Sequence, residues 1–196
     1  MTESTQFVPE MSSGSGKYLR MGDLKKLPTK SATFRFITPI FTGFEMWTEA
    51  NKPVRVRPGE AFPSGVAWRK DRDTGMVESA KQFNCAGVFN LDTNTVQVFS
   101  WTQKKFNKRL AAKLNAGKKG SPMDLALTVT FLDTTPVDYD LDVEKAEPYT
   151  AAQQAAIDSV LSEWTGPAAL LDNSDPFAPF TSAPTAKCGR DDDLPF

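Results

Sequence analysis

The chain has 196 residues, 24% charged and 40% hydrophobic, enough for one domain with extensions. That composition excludes a collagen-like, a disulfide-stapled or a wholly disordered chain, and the absence of any histidine removes the usual neutral-pH general base, Ser-His-Asp chemistry and the commonest zinc ligand. The net charge of −1 hides an asymmetry: residues 1–131 carry 20 Lys+Arg against 11 Asp+Glu, and residues 132–196 carry 3 against 13.

A basic body before an acidic end points to a polyanion-binding surface with a segment able to compete for it. Acidic ends also serve solubility alone, and charge by itself does not separate the two. No apolar run approaches the roughly 18 residues of a membrane helix. The first residues lack a basic n-region and an apolar h-region, so no secretory signal is expected. Cys85 and Cys188 lie far apart in unlike sequence, and a reducing cytoplasm is the expected location.

Residues 1–30 read as a mobile arm, Ser/Gly-rich and then basic, becoming ordered near Tyr18 or Leu24. Phe34–Trp47 reads as one long half-buried strand, bent at Pro39 and Gly43. Residues 51–65 hold Pro53, Pro58, Gly59, Pro63 and Gly65 and read as a loop. Phe83–Asn90 and Val96–Trp101 form a hairpin around Leu91–Thr95. In its second strand Val96 and Val98 share one face and Gln97, Phe99 and Trp101 the other.

Phe106, Leu110 and Leu114 then recur four apart, with Lys104, Lys105, Lys108, Arg109 and Lys113 around them. This predicts a basic amphipathic helix ended by Gly117 and Gly120. Leu125–Leu132 and Val137–Val143 alternate as further strands. Thr150-Ala-Ala-Gln153 is a capping box, opening a helix to about Trp164 with Ala152, Ala156, Val160 and Trp164 as its stripe.

The expected organisation is an arm at 1–30, a β domain at 31–149, a helix at 150–165, and a disordered linker with an acidic tip at 166–196. Five short strands with a helix between the third and fourth match an all-β-dominated, five-stranded OB-fold barrel, one of several small barrels or sandwiches compatible with the pattern.

Several motifs carry no chemistry. Gly14-Ser-Gly-Lys17 lacks the first glycine, the Ser/Thr and the preceding strand of a phosphate loop. Asp138, Asp140 and Asp142 lack the glycine and glutamate of a calcium loop, and read as the solvent face of a strand. Cys85 has no activating partner. No catalytic residue, metal or cofactor is expected.

The aromatic and basic residues are more telling. With Val96 and Val98 pointing inward, Phe99 and Trp101 point outward, ahead of Lys104 and Lys105. That arrangement suits bases stacked on rings with phosphates on lysines. The competing reading is that a helix or the arm covers this face as a second core. Trp47 beside Lys52, Arg55 and Arg57, Trp68 beside Arg69 and Lys70, and Arg35 between Phe34 and Phe36 are further candidates.

The last six residues, Asp191-Asp192-Asp193-Leu194-Pro195-Phe196, resemble the acidic tip of bacterial single-stranded-DNA-binding proteins (SSBs), Asp-Asp-Asp-Ile-Pro-Phe. In such a tip the Phe196 ring fills an apolar pocket on a partner. Its α-carboxylate pairs with a basic residue, and the aspartates meet surrounding Lys/Arg. Pro195 limits the entropy lost on docking.

The body resembles the OB-fold SSBs of tailed bacteriophages. The resemblance rests on Lys17-Tyr18-Leu19, Phe34–Trp47, Asn51–Arg57, the Phe83–Trp101 hairpin and the basic helix, over roughly residues 17–149. It implies a cleft that binds single strands through rings and cations, and an acidic tail that contacts replication or recombination proteins. The individual DNA-contact residues named above rest on strand parity and charge.

The expectation is therefore a non-enzymatic protein that coats single-stranded DNA without sequence preference. An interaction protein that borrows the tip to occupy host replication proteins is the alternative. A nuclease is a third reading, and it needs clustered metal-binding carboxylates.

Overall fold

The structure is a computed structural model and describes residues 16–116 and 121–178. Pro39 has no N–H to give a ladder, and the stretch expected as one bent strand divides around it. Its halves are β2 (Ser31–Phe36) and β3 (Phe41–Trp47). With β1 (Tyr18–Arg20), β4 (Pro53–Val56), β5 (Lys81–Asn90), β6 (Thr95–Trp101), β7 (Leu125–Leu132) and β8 (Asp138–Lys145), eight strands make one sheet among the described residues.

The order is β1-β6-β5-β2-β7-β8, with β3 on β5 and β4 on β3. Among the described residues only β1 with β6 is parallel. The sheet is open, so the five-stranded closed form expected from the sequence is not what these residues show. The fold is β-dominated as expected. The helix α1 (Lys104–Ala116) lies between β6 and β7 and the helix α2 (Ala151–Glu163) follows β8.

β5 changes neighbours along its length. Its first half pairs β3 (Phe41 with Cys85 to Glu45 with Lys81) and its last three residues pair β2. At the changeover Gly87 N–H donates to Thr38 Oγ1 at 2.8 Å, and Ile37 N–H donates to the Gly87 carbonyl at 2.9 Å.

Two cores lie on opposite faces of the sheet. The inner one gathers Phe34, Phe36, Val88, Phe99, Trp101, Leu127 and Val129 under Phe106 and Leu110 of α1. The outer one gathers Phe83, Cys85, Phe89, Val96 and Val98 under Ile157, Trp164, Leu170 and Leu171. This reverses the parity expected for β6. The Phe99 and Trp101 face holds the main core, and the Val96 and Val98 face is covered by the C-terminal segments.

The expected boundaries shift accordingly. From Tyr18 onward the arm belongs to the sheet, with Leu19, Met21 and Leu24 buried. The segment expected to be linker from residue 166 instead packs on the outer face as far as Ala178. It runs through a 3-10 helix at Pro167–Asp172 with Leu170 and Leu171 buried.

The capping box forms as read. Thr150 N–H donates to Gln153 Oε1 at 3.0 Å, and Gln153 N–H donates to Thr150 Oγ1 at 3.2 Å. The covered stripe of α2 runs through Ile157, Val160 and Trp164, whereas Ala152 and Ala156 face solvent. On β8, Asp138, Asp140 and Asp142 each accept the N–H of the following residue at 2.9 Å, which caps the donors of an edge strand. Among the described residues no helix is long and apolar enough to cross a membrane.

Candidate nucleic-acid interface

β6 pairs with β5 only from Asn84 onward, so the start of β5 is uncovered on that side. A cleft of about 450 Å³ opens there, continuous with the outer face. Phe83, Ser100, Arg20 and Met21 line it, together with Glu45, Trp47, Lys52 and Arg55. Trp101, Thr102 and Gln103 complete the part of the lining that comes from the end of β6 and the residues after it.

Part of the lining comes from β3 and β4, whose register sets Glu45 against Arg55. Both are buried, at 5% and 8% exposure. Arg55 Nε donates to Glu45 Oε2 at 2.9 Å, and its guanidinium lies 4.3 Å from the centroid of the Phe83 ring. The half-buried Trp47 donates its indole N–H to Glu45 Oε1 at 3.0 Å. Arg69 lies 5.4 Å from the Trp47 ring centroid. Lys52 is exposed at the rim and forms no ion pair among the described residues.

Of the residues singled out from the sequence, Trp47, Lys52, Arg55 and Trp101 line this cleft. The others are placed elsewhere or engaged internally. Phe99 is wholly buried and Trp101 is 2% exposed, so they form no open stacking platform. Their rings stack on each other, with centroids 4.8 Å apart, beneath Phe106.

Arg35 is also buried, and donates to the carbonyls of Glu147 (2.7 Å) and Met123 (3.1 Å) while lying 3.8 Å from the Tyr149 ring centroid. It braces the chain after β8 and is not available to a phosphate. Arg55 is spent on Glu45. Arg57 is half-buried and gripped by Asp172 through two hydrogen bonds of 3.0 and 2.6 Å. Trp68 is half-buried, edge-on to Phe62 at 5.6 Å, and outside the cleft lining.

Lys104 and Lys105 are exposed in the first turn of α1, which holds no acidic residue. Such a turn presents positive charge at the positive end of the helix dipole, an arrangement that an anion relieves. Arg109, one turn on, is paired with Asp138 at 2.9 Å. Asp191, Asp192, Asp193, Leu194, Pro195 and Phe196 lie outside the described residues.

The sequence reading missed Arg20, Asn51 and Gln103, which line the cleft. Arg20 falls in the segment that reads as an arm, and the other two lie where no periodicity signals a site. It also passed over Phe44, the most exposed aromatic ring among the described residues at 40%. Alternation along β3 puts Phe44 on the face opposite Glu45, so that signal was present.

Comparison with protein-family models, curated proteins and solved structures finds no match to this chain.

Proposed function

We propose that this protein binds single-stranded DNA without sequence preference and recruits replication or recombination proteins through residues 191–196, in a phage-type system in the bacterial cytoplasm. The observation that carries the reading is the cleft, where Trp47, Asn51, Lys52 and Gln103 line one space. A ring stacks on any base, a cation meets the phosphate, and amides take whichever base edge is presented.

The basic first turn of α1 follows directly after Gln103 and extends the track. The succession of β2 with β3, β5, β6, then α1, β7 and β8 supports taking the sheet as an opened variant of the OB fold. In this reading the protein has no catalytic residue and needs no cofactor. It protects exposed strands and passes them on.

Tryptophan fluorescence titrated with oligo-dT tests the reading, with duplex DNA and RNA of equal length beside it at two salt concentrations. Quenching by oligo-dT is expected, with affinity falling as salt rises. Trp47→Ala should weaken binding by about 1–3 kcal/mol. Quenching that ignores both salt and Trp47→Ala would defeat the proposal.

One observation favours a second reading. Arg35, Arg55 and Arg57 all have internal partners, which thins the cationic surface. An interaction protein that uses the tip to occupy host replication proteins needs no such surface. A gel shift separates the two readings, since this second protein leaves DNA unshifted while still binding tip-recognising partners.

A further inference from the structure

We infer that a second stacking position for single-stranded nucleic acid lies on the opposite face of β3, centred on Phe44. The inference rests on the DNA-binding reading and extends it from one cleft to two apertures on either side of the sheet.

Register places Phe44 between Gln82 of β5 and Val56 of β4, on the inner face. That face is sealed by α1 further along, but at this margin the Phe44 ring is open. The residues beside it are polar amides joined in a chain. Trp101 Nε1 donates to Asn107 Oδ1 at 3.4 Å, Asn107 Nδ2 to Gln82 Oε1 at 3.5 Å, and Gln82 Nε2 to Asn84 Oδ1 at 3.3 Å. The longer contacts are weak enough to be exchanged for bonds to a ligand. An open ring beside amides suits a base, whose face stacks and whose edge carries donors and acceptors.

Charge points to a nucleic acid over an apolar partner. Lys104 lies three residues before Asn107, on the same side of α1, exposed and without an ion pair among the described residues. Gln103, one residue earlier, lines the Trp47 cleft. The start of α1 therefore links the two apertures, and Lys104 can hold a phosphate of a strand that occupies both.

The experiment compares oligo-dT of about 5 and about 15 nucleotides on the full chain, as wild type, Phe44→Ala, Phe44→Trp and Trp47→Ala. Phe44→Ala should weaken the longer oligonucleotide about tenfold, the loss of one stacked base, and leave the shorter one unchanged. Phe44→Trp should restore affinity and add fluorescence that only the longer strand quenches. Equal affinity of Phe44→Ala and wild type at both lengths overturns the second position while leaving the cleft intact.

A wild type that binds neither length overturns the DNA-binding reading itself, and this inference with it. If Phe44→Ala instead abolishes self-association seen in sedimentation and leaves DNA affinity unchanged, Phe44 serves a second copy of the chain and the inference is wrong. Coincident thermal melting of the variants and wild type shows that the fold is retained.

Discussion

Glu45 and Arg55 form a buried ion pair in the wall of the cleft, with Arg55 Nη2 2.8 Å from Glu45 Oε2. Burying two charges is costly, and replacing such a pair by apolar residues is often neutral or favourable. Removing one partner alone strands a charge. Glu45→Gln should therefore destabilise the protein by about 3–5 kcal/mol, and the double change Glu45→Leu with Arg55→Met should recover most of that. Urea unfolding of the three proteins measures it. A double variant no more stable than Glu45→Gln would show that the pair is not an independent unit.

Two glycines of the sheet give way differently. A Cβ on Gly87 would meet Trp164 Cη2 at 2.6 Å and Thr38 Cγ2 at 2.9 Å, both side-chain atoms. A Cβ on Gly43 would meet the Val56 carbonyl oxygen at 2.6 Å, which is backbone of the paired strand, and Leu171 Cδ2 at 2.6 Å. Side chains can turn aside at a cost of about 1–3 kcal/mol, whereas β4 cannot move without losing its ladder. Gly43→Ala should be the more destabilising of the two in thermal unfolding. The reverse order would mean that the contact of Trp164 with the sheet is the stiffer one.

Alkali should unfold the protein through groups that fold in their neutral form. Burial pushes the Cys85 thiol up to about 12. Burial, then the neighbouring Asp175, raises the Tyr18 phenol above its ordinary value, and burial does the same to Tyr139 and Tyr149. The unfolded chain releases these protons near the ordinary values of about 8.5 and 10, while the folded chain keeps them. Their contribution is complete below that range and is lost as pH climbs through it toward the folded values. Urea midpoints should fall steadily above about pH 8.5. Tyr18→Phe should flatten the decline, and an unchanged slope would exclude Tyr18 as a contributor.

The elements were legible where periodicity is local. The Phe106, Leu110, Leu114 stripe and the Thr150–Gln153 capping box each specify a helix within a few residues, and both helices stand where read. The face of β6 was not legible, because alternation says which residues share a side but not which side meets the larger core. Val96 and Val98 are covered because α2, with Ile157 and Trp164, returns onto them from about 60 positions later. Cation availability was hidden for the same reason. Arg57 reads as free in its own stretch, and its partner Asp172 lies 115 residues away.

That distant partner also sets how much positive charge stands beside the cleft. Arg57 lies two residues past Arg55, which lines the cleft, and Asp172 occupies its guanidinium fork much as a phosphate would. Both side chains are about half exposed, so the bond is open to competition from solvent and ligand. Asp172→Asn removes the charge that holds Arg57 and leaves the neighbouring Asn173, whose Oδ1 accepts the Arg55 N–H at 3.1 Å, in place. If the chain binds single strands as proposed, the freed Arg57 takes one further phosphate. The slope of log affinity against log salt should then steepen by about 0.7, one added contact on a single strand. Adding Arg57→Ala to Asp172→Asn should return the slope to that of Arg57→Ala alone. Parallel salt slopes for Asp172→Asn and wild type would place Arg57 outside the path of the strand.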